Sequence, residues 1–205
     1  MNYLEFRNKM FDLACFTTDQ VFAWQPAFDR NNLSRWTNKG LLVRLRQGYY
    51  TFPEYKGMKD YALYFANRIY RPSYISLHTA LSFYGMIPEA VIQITSVSPM
   101  KTAFFTNAFG EYSYKSIKQE LMFGYDLKPM PGGRAVQLAF PAKALLDLLY
   151  LYPGYDSVKD FQDLRLDEDF LNEDLDKEML MKYTSMFKNK ALEERILLLL
   201  VTYGQ

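Results

Sequence analysis

The sequence has a single cysteine, Cys15, and a single histidine, His78, among its 205 residues. A disulfide within the chain is therefore excluded, as is a zinc site built from several cysteine and histidine ligands. No acidic neighbour in sequence would orient His78 as a base, so we interpret it as a packed or surface histidine. Cys15 ends an apolar segment, which is typical of a core residue. The sequence therefore predicts no catalytic residue, no metal site and no cofactor.

Long apolar runs are also missing. The longest leucine-rich stretch covers only residues 196–201, whereas a membrane helix needs about 20 residues. Residues 1–7 interleave charged and apolar side chains and do not resemble a secretion signal. These patterns predict a soluble cytoplasmic protein with no membrane partner.

The chain carries almost no net charge, +1 in total, but its charges are unevenly distributed. Residues 28–56 contain six basic and two acidic residues, a local charge of +4. Residues 156–178 contain ten acidic and three basic residues, a balance of −7. A basic cluster favours contact with nucleic acid phosphates. The acidic stretch is either a solvated helical face, a docking surface for a basic partner, or an element that keeps DNA away.

Residues 1–56 show the pattern of three helices followed by a β-hairpin. Apolar spacing predicts helices over 2–14 and 29–39, with a short helix between them that begins near Thr17 and stops near Pro26. Alternation of apolar and basic residues followed by a Gln-Gly turn predicts the hairpin. This order predicts an N-terminal winged helix-turn-helix domain.

The third predicted helix has an amphipathic pattern. Leu33 and Trp36 fall on one face, while the opposite face carries a polar stripe at i, i+3, i+4 and i+7 spacing. Arginine can hold guanine and asparagine can hold adenine through paired hydrogen bonds. Arg44 and Arg46, two residues apart on a strand, are expected to point to one side of the wing. The predicted DNA-binding residues of the stripe, its flanks and the wing are Arg30, Asn31, Ser34, Arg35, Asn38, Lys39, Arg44 and Arg46.

Residues 57–205 predict a mixed α/β domain that ends in an acidic helical tail from about residue 156, so the whole chain is expected to be α+β. The predicted elements are helices over 60–70, 76–85 and 142–152, strands over 91–97, 111–117 and 121–127, a turn at 130–133, and a strand through Val136, Leu138 and Phe140. Ser76 is expected to cap its helix. Lys143 and Asp147 have i, i+4 spacing, which is typical of an exposed ion pair on a helix.

Three segments resemble motifs of the AbiEi-type antitoxins of type IV toxin–antitoxin systems. Residues 39–50 (KGLLVRLRQGYY) resemble that family's wing, residues 74–85 (YISLHTALSFYG) its "YIS-x-x-(S/T)AL-x-x-(H/Y)G" segment, and residues 139–149 (AFPAKALLDLL) its "A-S-P-E-K-A-L-L-D-L-L" helix start. The order and spacing match over about residues 15–152. Phe140 and Ala142 depart from the small and acidic residues of the family pattern.

This resemblance implies a winged-helix repressor that binds inverted repeats in double-stranded DNA and regulates its own operon. It also implies a C-terminal domain that counters a nucleotidyltransferase-like toxin without forming a stable complex with it. Two other functions stay compatible with the residues. One is a protein-interaction module whose winged helix no longer binds DNA; the other is a nuclease or nucleotidyltransferase, which requires at least two carboxylates converging in one pocket.

Overall fold

A computed structural model describes residues 2–58, 60–89, 91–130 and 133–204. About half of the structure is helical and about a fifth is strand, which confirms a mixed α and β protein. Within these described residues, no helix is both long and apolar enough to cross a bilayer.

The N-terminal region, residues 2–57, consists of short helices and a small sheet. Its elements are α1 (Tyr3–Met10), a 3-10 turn (Phe11–Leu13), β1 (Phe16–Thr17), α2 (Thr18–Trp24), α3 (Asn31–Asn38), β2 (Val43–Arg46), β3 (Tyr49–Thr51) and a second 3-10 turn (Pro53–Gly57). The strands are antiparallel in the order β1-β3-β2. Capping boxes begin α1 and α2, with Asn2 and Thr17 each accepting a backbone N–H of the first turn. The three predicted helices and the hairpin are confirmed.

Aromatic rings fill the centre of this region. The ring of Phe6 lies 4.7 Å from Trp36, 5.5 Å from Phe16 and 5.6 Å from Phe28, measured between centroids. Large rings bury much apolar surface per residue, so a few short elements can still form a core.

The second region is built on a six-stranded sheet in the order β6-β7-β5-β4-β9-β8. Its strands are β4 (Tyr74–Ile75), β5 (Gln93–Ser98), β6 (Ala103–Asn107), β7 (Gly110–Ser116), β8 (Tyr125–Met130) and β9 (Arg134–Ala139), and its first helices are α4 (Tyr61–Ile69), α5 (Leu77–Phe83) and α6 (Pro141–Leu151). The β4–β9 and β5–β7 pairs are parallel and the other pairs are antiparallel. The sheet is therefore mixed.

The strands of the large sheet differ from the prediction in two ways. The sequence pattern missed two strands: β4, which is only two residues long, and β6, whose side chains are half-buried or exposed because it forms one edge of the sheet. It also placed β8 four residues too early, since Gln119–Leu121 forms a 3-10 turn instead. Of the turn predicted at 130–133, positions 131 and 132 lie outside the described residues.

The acidic tail is helical, as predicted. It contains α7 (Val158–Leu164), a π-helical turn (Phe170–Asp174), α8 (Lys177–Phe187) and α9 (Lys190–Tyr203). Its acidic residues are mostly exposed, while Phe161, Leu180 and Ile196 are fully buried. Arg195 of α9 donates a hydrogen bond to the carbonyl of Leu149 at 2.6 Å, which fixes the tail against α6.

The two regions share one continuous hydrophobic core. The rings of Tyr55 and Tyr61, which lie on either side of the predicted 56/57 boundary, are 4.6 Å apart. Asn107 of β6 donates to the carbonyl of Leu45 in β2 at 3.1 Å. The hairpin of the N-terminal region therefore packs on the edge strand of the large sheet.

Candidate nucleic-acid interface

Helix α3 begins and ends at residues that suit those positions. The carboxylate of Asp29 accepts the backbone N–H of Asn31 at 3.0 Å, so an unpaired amide of the first turn is satisfied. Gly40 follows the helix with φ +70°, a left-handed conformation that glycine adopts without strain. The helix is therefore limited to residues 31–38, and its flanks Arg30 and Lys39 are exposed.

The polar stripe of α3 faces solvent as predicted. Asn31, Ser34, Arg35 and Asn38 are exposed, whereas Leu33 is 1% and Trp36 8% exposed. Tyr3 supports the C-terminal end of the helix, because its hydroxyl donates to the carbonyl of Leu41 at 2.9 Å. One face of α3 is thus held by the aromatic core while the other is free to contact a ligand.

Arg35 is held by two neighbours on the same surface. It donates to Asp29 at 3.3 Å and to Asn32 at 2.5 Å, and its side chain is 62% exposed. Exposed ion pairs contribute about 0–1 kcal/mol. The guanidinium is therefore easily released to a stronger acceptor, such as a base edge or a phosphate.

The hairpin tip is held against α2. Gly48, at φ +79°, accepts the backbone N–H of Thr18 at 2.9 Å. The β2–β3 register shifts between Arg44, which pairs with Tyr50, and Arg46, which pairs with Tyr49. The alternation assumed from the sequence is therefore interrupted by a bulge.

Arg44 and Arg46 do not share one free side of the hairpin, so that expectation is wrong. Arg44 is exposed. Arg46 is half-buried, donates to the carbonyl of Ile69 at 2.7 Å, and has its guanidinium carbon 4.6 Å from the ring centre of Phe105. Arg46 is held by the second region, because the hairpin packs on α4 and β6.

Lys143 and Asp147 form a fully buried pair, which corrects the expectation of an exposed one. The ammonium and the carboxylate are in direct contact. Asp147 also accepts hydrogen bonds from the hydroxyls of Tyr74 and Ser76, each at 2.8 Å. Ser76 occupies the first position before α5, but its side chain makes no cap hydrogen bond, since its hydroxyl donates to Asp147 instead.

Burial has a clear effect on the titration of this cluster. Desolvation lowers the pKa of Lys143 and raises the pKa of Asp147, and each partner opposes the shift of the other. Desolvation and the neighbouring Asp147 raise the pKa of Tyr74 well above its usual value. The ammonium lies 4.8 Å from the ring centre of Phe187 and 4.9 Å from that of Phe123. Its surroundings indicate a structural role, since aromatic rings cover it.

Cys15 and His78, the single cysteine and histidine of the chain, lie in surroundings that do not activate them. Cys15 is 3% exposed, and desolvation raises the pKa of its thiol to about 12, which confirms a core cysteine. His78 is half-buried beside the ring of Tyr152 at 6.0 Å, and burial lowers its pKa. Neither environment favours an activated side chain.

One cavity brings two carboxylates together. Asp156 and Glu194 line a space of about 340 Å³ near the tail, together with Arg195. Both acids are exposed, and Lys190 lies 3.8 Å from Glu194. In the described part of the chain, no three histidine, cysteine or acidic residues are placed to hold a metal ion. This cavity is the place where the nuclease alternative can be tested.

Comparison with protein-family models and with curated protein sequences finds no match to this chain. The resemblance to AbiEi-type antitoxins therefore depends on the three sequence motifs. Structurally, those motifs contain the hairpin, the β4–α5 segment with Ser76, and the start of α6 with Lys143 and Asp147.

Proposed function

We propose that the chain is a sequence-specific DNA-binding regulator whose N-terminal region is a winged helix with α3 as its recognition helix. The order of three helices and a hairpin, together with the β1-β3-β2 sheet, supports this proposal. The exposed polar stripe of α3, anchored from behind by Leu33 and Trp36, is the observation that carries it.

The side chains divide into base-reading and phosphate-holding groups. Asn31, Arg35 and Asn38 have the donors and acceptors that match purine edges in the major groove. Arg30, Lys39 and Arg44 are exposed cations on the flanks of α3 and on β2, where phosphates are the expected partners. Arg46 leaves the set of DNA contacts, since the second region holds its guanidinium.

The sequence motifs extend this proposal. By resemblance, the chain is a cytoplasmic repressor of its own operon that binds inverted repeats and is not an enzyme. Its second region counters a nucleotidyltransferase-like toxin without a stable complex. The cluster of Lys143 and Asp147 gives two of these motifs a structural role, since it joins α6 to the β4–α5 segment.

The experiment that tests the proposal is the substitution Arg35→Ala in the full chain. We expect it to weaken binding to the promoter duplex by about 1–3 kcal/mol and to leave binding to a scrambled duplex almost unchanged, because a bidentate arginine discriminates between bases. Both affinities are measured by fluorescence anisotropy titration, with circular dichroism to verify the fold.

Arg165→Ala provides a matched control. Arg165 also donates to one exposed carboxylate, Glu89 at 3.3 Å, and is similarly exposed, but it lies in the acidic tail. The substitution Arg165→Ala should leave the affinities for both duplexes unchanged. If Arg35→Ala weakened binding to both duplexes equally, α3 would contact phosphates and would not read bases. If the wild-type protein had no affinity for promoter DNA, the proposal would be refuted.

One observation favours a protein-interaction module as the second candidate. The carbonyl of Gly48 at the hairpin tip accepts the backbone N–H of Thr18 in α2, and Arg46 donates to the carbonyl of Ile69, so these parts of the wing are already held by contacts within the chain. This candidate predicts that Asn31, Arg35 and Asn38 can be replaced by alanine without any change in DNA binding. Capture of a defined protein partner that depends on these residues would support it.

A further inference from the structure

Two cavities share the side chains of Arg68 and Arg71, which the sequence analysis did not single out. The smaller cavity, about 190 Å³, is also lined by Cys15, Thr17, Gln20 and Tyr49 of the N-terminal region. The larger cavity, about 330 Å³, is lined by residues of the second region, including Tyr64, Asn67 and Gln137. We call the two together the arginine cavity. It lies where the N-terminal region meets α4.

Both arginines are positioned without a carboxylate partner. The guanidinium carbon of Arg68 lies 5.4 Å from the ring centre of Tyr64, and Nε of Arg71 donates to the carbonyl of Asn67 at 3.2 Å. Within residues 2–58, 60–89, 91–130 and 133–204, neither arginine has an acidic group within 4.0 Å, and the lining of neither cavity includes an acidic residue. Arg68, which is half-buried, and Arg71, which is exposed, therefore line the two cavities without a counter-charge from the described chain.

Asn67 lines the larger cavity and has one unpartnered amide group. It is 6% exposed, and its Oδ1 accepts the backbone N–H of Gln137 at 2.5 Å, which fixes the orientation of the amide. Nδ2 is buried and has no hydrogen-bond partner among the described residues. Buried N–H groups are usually satisfied, so an unpartnered one beside a cavity points to a missing acceptor.

The neutral groups of the lining are compatible with an anion. Burial raises the pKa of the Cys15 thiol to about 12, so no thiolate opposes a negative ligand there. Thr17 and Gln20 add a hydroxyl and an amide, and Tyr49 and Tyr64 add aromatic surface. Few polar donors within a partly apolar cavity are typical of small-molecule sites.

We propose that the arginine cavity binds a small phosphate monoester. A phosphate group carries about −1.5 to −2 charges and three terminal oxygens, which suits two guanidinium groups and an amide donor better than a single carboxylate does. The organic part occupies the remaining volume beside Tyr64 or Tyr49. This inference does not depend on DNA binding, since the ligand is recognised by residues outside α3.

Isothermal titration of the full chain with inorganic phosphate, adenosine 5′-monophosphate, adenosine and acetate tests the proposal. We expect adenosine 5′-monophosphate to bind more tightly than phosphate, while adenosine and acetate bind weakly or not at all. Arg68→Gln and Arg71→Gln, made singly, should each weaken binding roughly tenfold or more, because a hydrogen bond to a charged group is lost. Arg165→Gln is the control and should bind as the wild type does.

A second measurement on the wild-type chain avoids any folding defect of the variants. Adenosine 5′-monophosphate should protect Arg68 and Arg71 from phenylglyoxal, as read by mass spectrometry, and should leave Arg165 reactive. The proposal is overturned if neither phosphate probe binds at millimolar concentrations, or if binding occurs without protection of these arginines. It is also overturned if Arg68→Gln and Arg71→Gln weaken only duplex DNA binding, since the arginines would then hold the DNA backbone.

Discussion

Helices α3 and α6 both carry charged side chains but place them in opposite environments. In α3, Arg35 faces solvent and pairs with the exposed Asp29. In α6, Lys143 and Asp147 are fully buried. One helix presents its polar groups to solvent, while the other uses them to join elements within the core.

The difference shows that a charged side chain on a helix has no fixed role until its burial is known. A buried carboxylate costs several kcal/mol of desolvation and is tolerated only with partners. Asp147 has three, from Lys143, Tyr74 and Ser76. Its substitution should therefore disturb folding, whereas substitutions on α3 should disturb recognition.

The largest expected effect is that of Asp147→Ala. Removing the carboxylate leaves a buried ammonium without its partner, so the free energy of unfolding should fall by about 3–5 kcal/mol. Urea denaturation followed by circular dichroism measures this loss. The double variant Lys143→Met with Asp147→Ala should be more stable than the sum of the single effects, because it removes the unpaired charge as well.

If the stability lost in the double variant equalled the sum of the losses in the two single variants, Lys143 and Asp147 would not act as a pair. A loss below about 1 kcal/mol for Asp147→Ala, within the range of exposed ion pairs, would remove the contrast between α6 and α3.

Trp36→Ala should have an effect of comparable or slightly smaller size on the other helix. Trp36 packs 4.7 Å from the ring of Phe6 and 5.4 Å from that of Tyr3, so its loss leaves a cavity behind α3. Truncation of a large buried aromatic costs about 3–5 kcal/mol. Thermal unfolding measures the cost. An unchanged midpoint with lost DNA binding would mean that Trp36 contacts the ligand directly.

Substitutions of Arg44 and Arg46 should distinguish contact with DNA from packing against the second region, although both residues lie in β2. Arg44→Gln should reduce the slope of log affinity against log salt by about 0.9, the value for one lost phosphate contact. Arg46→Gln should leave the slope unchanged and lower stability, because the bond to Ile69 is lost. DNA titrations at several salt concentrations, together with urea denaturation, measure both quantities. If Arg46→Gln instead reduced the salt slope and left the stability unchanged, Arg46 would be a DNA contact.

The smallest effect is expected for Lys190→Ala in α9. Lys190 and Glu194 have the same i, i+4 spacing as Lys143 and Asp147, but their side chains are 87% and 66% exposed. Such pairs stabilise helices by about 0.2–0.5 kcal/mol. The change in the free energy of unfolding should be close to the error of urea denaturation. A loss above about 1 kcal/mol would contradict this prediction.

The sequence predicted the features that depend on local spacing. The exposed stripe of α3 and its buried Leu33 and Trp36 follow from helical periodicity, and Pro141 marks the start of α6. The DNA-binding role of the stripe is still a prediction. Burial of Asp147 was not predictable, because its partners Tyr74 and Ser76 lie 73 and 71 residues away in sequence. The position of Arg46 was missed for the same reason, since Ile69 and Phe105 are distant along the chain.

Strand β4, near the centre of the large sheet, is only two residues long. It contributes only Tyr74 and Ile75, which pair with Val97 and Ser96 on one side, while Ile75 pairs with Leu138 on the other. A local opening of these few described pairs would separate the β6-β7-β5 part from the β9-β8 hairpin, and each part would keep its own ladder. Amide hydrogen exchange should therefore report two protected groups of strands, with the exchange of the amides around Ile75 governed by a shared opening event.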